Sequence, residues 1–279
     1  MKLACNYYLE TEELAREKKI DIDYFKIPAL GSHMKMLEKQ NIGELEKFIS
    51  RVTKIKPVLL HGLYPNPFDL SSPTLINDYD SDTLDRILNL TKTPGISVHP
   101  CLVKVDPVIP EKQLINTIVS NIIYFREKYS DMNFISIENP DNVKFGALIK
   151  PEVLTEIINQ SQCSFILDIS HAFCVSRIIG EDFRTYLSRL PLKQVSEIHI
   201  NGWIEKDNRI MCHIKINDIG YQILKELLNY CNPQIISIEY GRDNDRLNVG
   251  SPVISPDKIN DEAKKEIIEQ VYKIREIIS

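Results

Sequence analysis

Asp168 and His171, three residues apart at the end of the apolar run in SFILDISHAF, are the pair that first suggests chemistry in this sequence. A strand that delivers an acid and an imidazole at its C-terminal end presents both at the mouth of an α/β barrel. The plainer alternative is an aspartate capping the next helix with a histidine packed beside it. Recurrence separates the two. His61 lies at the end of PVLLHG, His99 of GISVHP, Glu138 of NFISIEN, His199 of VSEIHING and Glu239 of QIISIEY. With Asp168, the third to the eighth predicted strands all finish on a side chain able to bind a metal. His171 and His213 follow closely in what read as loops. Of the six histidines only His33, at a predicted helix start, lies elsewhere, and it is expected at the surface.

Burying so many ionisable groups in one mouth is costly unless cations pair them, and metal ions are the usual partners. Imidazoles and carboxylates without thiolates suit iron, manganese or zinc rather than magnesium or calcium. His61, His99 and Glu138 make a two-histidine, one-carboxylate set of the type that leaves positions open on Fe(II). Glu138 can bridge to a second ion held by Asp168, His199 and Glu239, and His171 and His213 can hold a third. Glu138, Asp168 and His171 are the candidate catalytic groups. Asn139, Asp141, Asn201 and Arg242 sit beside these residues and are expected to orient them or to meet substrate.

The elements that must position these groups are legible as strand-like runs alternating with amphipathic stretches. The remaining strands read as KLACNYY and DYFKI, and most of the eight are continuous apolar, β-branched runs, as parallel strands buried on both faces are. Helices are expected near Met34–Arg51, Asp82–Leu90, Leu114–Phe125, Pro151–Asn159, Glu181–Leu190, Asp218–Tyr230 and Ile259–Ile274, with Pro151 and Pro256 near helix starts, where proline is tolerated. Strand followed by helix from end to end predicts a (β/α)8 TIM barrel as one domain over residues 1–279. An open doubly wound sheet is the alternative, and no glycine-rich phosphate loop supports it. The connections after the third and seventh strands are long enough to shape a substrate site, and a polar segment follows the eighth.

Composition narrows the functional classes. The 279 residues are 43% hydrophobic and 26% charged with a net charge of -5, which fits a globular chain with an ample core. No basic block is present, which argues against nucleic acid as the main partner. The six cysteines are widely spaced with no CxxC pair, so they are expected as reduced, buried small side chains; the alternative is that one of Cys101, Cys174 and Cys212, which flank the predicted mouth, ligates a metal or forms a redox pair. The N-terminal stretch turns acidic before a signal-like apolar run forms, and no run approaches a membrane span. A cytoplasmic protein is expected.

The ordered motifs ENP at Glu138, LDISHAF at Asp168, EIHING at His199 and IEYG at Glu239 resemble the xylose-isomerase-like TIM barrels with multinuclear metal sites. Within that group, the chain is similar to endonuclease IV in the spacing His, His, Glu, Asp-x-x-His, His, Asp-x-His, Glu. NYY, DIDYFKIP, VLLHGL and EIHINGW extend the resemblance to the multinuclear non-haem iron-dependent oxidases of the methanobactin-biosynthesis type. That resemblance implies two or three iron ions held by His61, His99, Glu138, Asp168, His199 and Glu239, with His171 and His213 around a third position. It implies an oxidoreductase that uses O2 to modify a residue, expected to be cysteine, of a ribosomally made precursor peptide. The absence of an appended peptide-binding domain suggests a separate recognition partner. The alternative is a zinc- or manganese-dependent phosphodiesterase or sugar isomerase on the same barrel. One departure stands out: where an Asp-x-His pair is expected the chain reads Met211, Cys212, His213, and Asp207 and Asp218 are the candidate substitutes.

Overall fold

The computed structural model describes residues 1–28, 42–62, 69–101, 109–206, 209–241 and 259–279. In chain order the elements are β1 (Lys2–Asn6), α1 (Leu9–Arg16), β2 (Tyr24–Pro28), α2 (Ile42–Val52), β3 (Val58–His61), α3 (Leu75–Asp78), α4 (Ser81–Thr91) and β4 (Gly95–Val98). Then come α5 (Glu111–Lys128), β5 (Phe134–Glu138), a 3-10 segment (Val143–Ile149), α6 (Pro151–Ser161), β6 (Ser164–Asp168), α7 (Ile169–Ile179) and α8 (Phe183–Arg189). The chain finishes with β7 (Val195–Ile200), β8 (Gly202–Lys206), β9 (Arg209–Ile214), α9 (Asp218–Leu227), β10 (Ile235–Ile238) and α10 (Asp261–Ile278).

Eight parallel strands close on themselves in the order β1-β10-β7-β6-β5-β4-β3-β2. This is the expected TIM barrel. Closure is made by β1 against β10, with Lys2 opposite Ile235 and Cys5 opposite Ile238. Outward-facing strand residues such as Leu3, Phe25, Leu60, Ile137, Phe165, Leu167 and Ile198 are buried under the helices. The helices supply matching stripes: Leu45, Phe48, Ile49 and Val52 on α2, and Leu114, Ile118, Ile122 and Phe125 on α5, at the three- and four-residue spacing that lines one face. A smaller group, Ala4, Leu59 and Ile235, packs with Tyr24 and Phe134 apart from the main core.

Helix ends follow local chemistry. Asp80, Asp182, Asn217 and Asn260 cap α4, α8, α9 and α10 by accepting first-turn N–H groups. Asp168 does the same for α7, and that helix ends at Gly180 in the left-handed region.

Three sequence expectations are corrected. The stretch after β7 is an antiparallel hairpin, β8–β9, rather than a loop; its alternation of apolar and polar residues is short and follows β7 after a single residue. His171 lies in the first turn of α7, not in a loop. Helix α1 was not expected, because its sequence LETEELAR is mostly polar, yet Glu10, Thr11 and Glu12 are buried in it. Tyr7 and Arg51 hydrogen-bond Glu12, and the Asn260 N–H bonds Glu10 Oε1 at 2.7 Å, while Glu10 Oε2 is buried without a hydrogen bond. His33, Asp207, Arg242 and Pro256 fall outside the described residues.

The hairpin depends on a close backbone approach at Gly202, where a Cβ would stand 1.8 Å from the Lys215 carbonyl oxygen. Gly202→Ala is therefore expected to lower unfolding stability by ~1–3 kcal/mol, read as a lower urea midpoint; an unchanged midpoint would contradict the approach described.

Candidate metal centre

Inward-facing positions in a barrel strand recur every second residue. Here the top inward ring is His61, His99, Glu138, Asp168, His199 and Glu239, with His99 and Glu239 one residue beyond their strands. Two residues earlier lie Leu59, Ser97, Ser136, Ile166, Glu197 and Ser237, all buried. Lys26 on β2 reaches this second ring and is also fully buried.

The top ring is tightly drawn. Glu138 Oε2 is 3.0 Å from His61 Nε2 and 3.5 Å from His99 Nε2. Glu138 Oε1 is 3.0 Å from His199 Nδ1 and 3.3 Å from His171 Nδ1. His199 Nδ1 is also 3.4 Å from Glu239 Oε1 and 4.0 Å from Asp168 Oδ2. Among the described residues, ligand atoms converge within 4.8 Å in four groups: His61, His99, Glu138; His61, His199, Glu239; Glu138, Asp168, His199, Glu239; and His171, Cys212, His213.

The donor set fits metal ions. Glu138 Oε2 is buried and accepts no hydrogen bond although two imidazole nitrogens face it. Such an orphaned carboxylate oxygen calls for a cation between it and the imidazoles.

The surrounding hydrogen bonds also leave the right nitrogens free. Ser97 Oγ donates to the Leu60 carbonyl at 2.8 Å, so at 3.2 Å it accepts from His61 Nδ1–H and leaves Nε2 with a lone pair. His171 Nδ1–H donates to the Asn139 carbonyl at 2.9 Å, leaving Nε2 free. His199 can offer Nδ1 when its Nε2–H donates to Glu197 Oε1 at 3.1 Å. Fixing the second ring nitrogen in this way sets which nitrogen meets a metal.

Two asparagines brace the acids. Asn139 bonds Asp168 twice through the backbone, accepting from its N–H at 2.8 Å and donating to its carbonyl at 3.0 Å. Asn201 donates to Asp168 Oδ2 at 3.1 Å and accepts from the His213 N–H at 2.8 Å. Asp168 Oδ1 caps α7 through the His171 N–H at 2.9 Å. One oxygen of Asp168 thus serves the helix, as the capping alternative expected, while the other faces the cluster.

Residues 10–251 match the family described as RiPP precursor modification enzyme MbnB/TglH/ChrH. The chain belongs to this family. An UPF0276 protein of Bordetella pertussis is 29% identical over 127 residues, 44% of this chain and 42% of the relative. The chain thus spans less than half the length of that curated relative. An UPF0276 protein of Anaeromyxobacter is 22% identical over 174 residues, 58% of this chain and 60% of the relative. In fold the chain is similar to a D-tagatose 3-epimerase-like protein, with a TM-score of 0.59 at 18% identity and coverage of 100% of both chains. It is also similar to endonuclease IV from Thermus thermophilus, with a TM-score of 0.56 at 14% identity over 98% of this chain and 99% of that one.

In this family member the centre carries its own charge balance. Burial would raise the Glu138 carboxyl, but His199, His99, His61 and His171 hold it well below the usual range. Burial likewise opposes Glu239, and His199 with His213 and Lys26 pulls it well down. The counterpart is a set of retained imidazole protons. Burial favours neutral His171, yet Asp168 and Glu138 lift it to about 9. Against the same burial, Glu239 and Glu138 lift His199 to about 10. His99, farther from compensating acids, is pushed by burial down to about 4. Imidazolium protons stand where metal charge would stand.

Beneath the cluster Lys26 contacts both Glu197 and His199 Nε2, and Ser237 donates to the same Glu197 oxygen at 2.5 Å. Burial opposes the Glu197 charge, and Lys26 and His199 hold its carboxyl at about 2. Removing one partner of such a pair strands a buried charge at a cost of about 3–5 kcal/mol.

The sequence reading missed Lys26 and Glu197. A lysine inside DYFKI and a glutamate two residues before His199 were the available signals. It favoured buried thiols over a metal-binding cysteine; Cys212 is buried, and it also stands in the fourth ligand group. Asp141 is half-buried and Asp218 starts α9; neither belongs to a ligand group among the described residues.

The raised His171 and His199 values set a pH dependence. Their contribution to the metal-free protein is fully present below the unfolded value of about 6.5 and is lost as pH rises through about 9 and about 10. Bound metal replaces those protons, so the thermal stabilisation by added metal is expected to grow across this window. Calorimetry of both forms measures it, and parallel profiles would contradict the charge balance.

Proposed function

We propose that this protein is an iron-dependent oxidase that uses O2 to modify a residue, a cysteine by expectation, of a ribosomally made precursor peptide. The observation that carries the reading is the sharing of Glu138 between two adjacent ligand groups in a chain that belongs to a precursor-modifying family. His61, His99 and Glu138 would hold one ion, and Asp168, His199 and Glu239, with Glu138 bridging, a second. Two histidines and one carboxylate form the set that suits Fe(II) and leaves positions open for exogenous ligands. Iron bound there would supply O2 activation and take part in the electron transfer.

The chain's own residues supply positioning and a dry environment. Glu138, Asp168 and His199 are fully buried, while the His99 and His213 side chains keep 29% and 25% of their exposure. A peptide would therefore approach from the side of His99 and His213. Phe173, Trp203 and Phe183 form an aromatic cluster beside the hairpin, with Phe173 and Trp203 stacked at 5.1 Å. Trp203 is buried in the main core with Phe173 and Phe183 packed against it, so the cluster anchors the hairpin on α7 and α8. In this reading Glu138, Asp168 and His171 would be the groups nearest the reacting atoms. His171 keeps Nε2 available because its Nδ1 proton is committed to Asn139. A precursor peptide, presented by a separate recognition protein, completes the reading.

The test is elemental analysis of protein produced with iron supplementation, with Mössbauer spectra of an iron-enriched sample. More than one iron per chain, together with a mass change in a cysteine-containing precursor peptide made in the same cells, is expected. Stoichiometric zinc without iron under those conditions would overturn the oxidase.

A further inference from the structure

The fourth ligand group differs in kind from the other three, because it contains a thiol and no carboxylate. Its geometry comes from a defect in the hairpin. Gly202 pairs with Ile214 and Trp203 with Cys212, which leaves His213 as an extra residue in β9. In an unbroken strand Cys212 and His213 would point to opposite faces. A bulge re-aims side chains, and here it places Cys212 Sγ 3.0 Å from His213 Nδ1.

The backbone is committed to this arrangement. His213 has φ of 63°, a left-handed conformation uncommon for a residue with a Cβ. Asn201 accepts from its N–H at 2.8 Å, and its carbonyl accepts from the Gly241 N–H at 3.0 Å. His171 enters from α7 with its ring 5.6 Å from that of His213 and its Nε2 left free by Asn139. The bulge thus compensates for Met211: the carboxylate expected at that position is replaced by a sulfur one residue later.

We propose that His171, Cys212 and His213 form a thiolate-containing site for a thiophilic divalent cation of the zinc type, distinct in metal preference from the carboxylate-rich groups beside it. Thiolate with imidazole selects zinc-like ions, whereas mixed imidazole and carboxylate sets suit iron and manganese. Three protein ligands with a fourth position open is the arrangement of a zinc site that accepts water or a substrate atom. Cys174 on α7 hydrogen-bonds Cys212, the kind of contact that orients a metal ligand. The assignment does not depend on which ion the neighbouring groups hold.

The test uses the full chain, stripped of metal, reduced and reloaded with Co2+ as a spectroscopic probe for zinc. A near-ultraviolet sulfur-to-cobalt charge-transfer band is expected in the native protein and in Cys174→Ala. Cys212→Ser should lose the band, along with about one tightly held zinc per chain. Cys212→Asp should lose the band but keep the ion through oxygen. Circular dichroism of each variant checks the fold. A native protein without the band would overturn the proposal, as would a band that survives in Cys212→Ser. So would a Cys174–Cys212 disulfide that resists reduction in the folded protein. Iron analysis of the same samples reports on the oxidase separately, so failure of one reading is distinguishable from failure of the other.

Discussion

Four carboxylates, Glu138, Asp168, Glu197 and Glu239, are buried inside one barrel that contains a single buried lysine among the described residues. Lys26 answers Glu197, and three negative charges are left to be met. Buried charges without partners are costly enough to neutralise themselves or to recruit cations. His171 and His199 are the barrel's reserve: without metal they hold protons, and with metal they become neutral ligands. The positions of the serines, asparagines and the hairpin follow from the need to organise that exchange.

The inward rings divide the work. Ser97, Ser136 and Ser237 are small and fully buried, which leaves volume for Lys26 and Glu197 at the same level. That level orients the histidines above it through Ser97 on His61 and Glu197 on His199. Asn139 and Asn201 tie β5, β6, β7 and the hairpin together at the top through Asp168 and His213. A barrel is suited to this because each strand end contributes one side chain to a common mouth while the helices bear the folding load outside.

Much of this was legible in the sequence because parallel strands are uniformly apolar, so a polar residue at a strand's end is conspicuous. His61, Glu138, Asp168 and His199 could be placed by that contrast alone, and they converge in the structure. Lys26 and Glu197 were overlooked because each was read as part of an apolar strand, although a period of two would have aligned Glu197 beneath His199. The hairpin was read as a loop, and with it went the bulge at His213. A bulge is a register event between two strands and has no signature in one of them. Cys212 therefore looked like an ordinary buried thiol. The burial of Glu10 and Glu12 in α1 was hidden for the same reason: their partners, Asn260 and Arg51, are remote in sequence.

Membership in a precursor-modifying family and a mouth of shared carboxylates and tautomer-fixed imidazoles point the same way. The most direct measurement is anomalous X-ray diffraction at the iron edge from crystals of iron-loaded protein. The account predicts adjacent peaks on either side of Glu138, one among His61 and His99 and one among Asp168, His199 and Glu239. An ordered mouth with no metal peak, in which protonated histidines still pair with the carboxylates after iron loading, would contradict it.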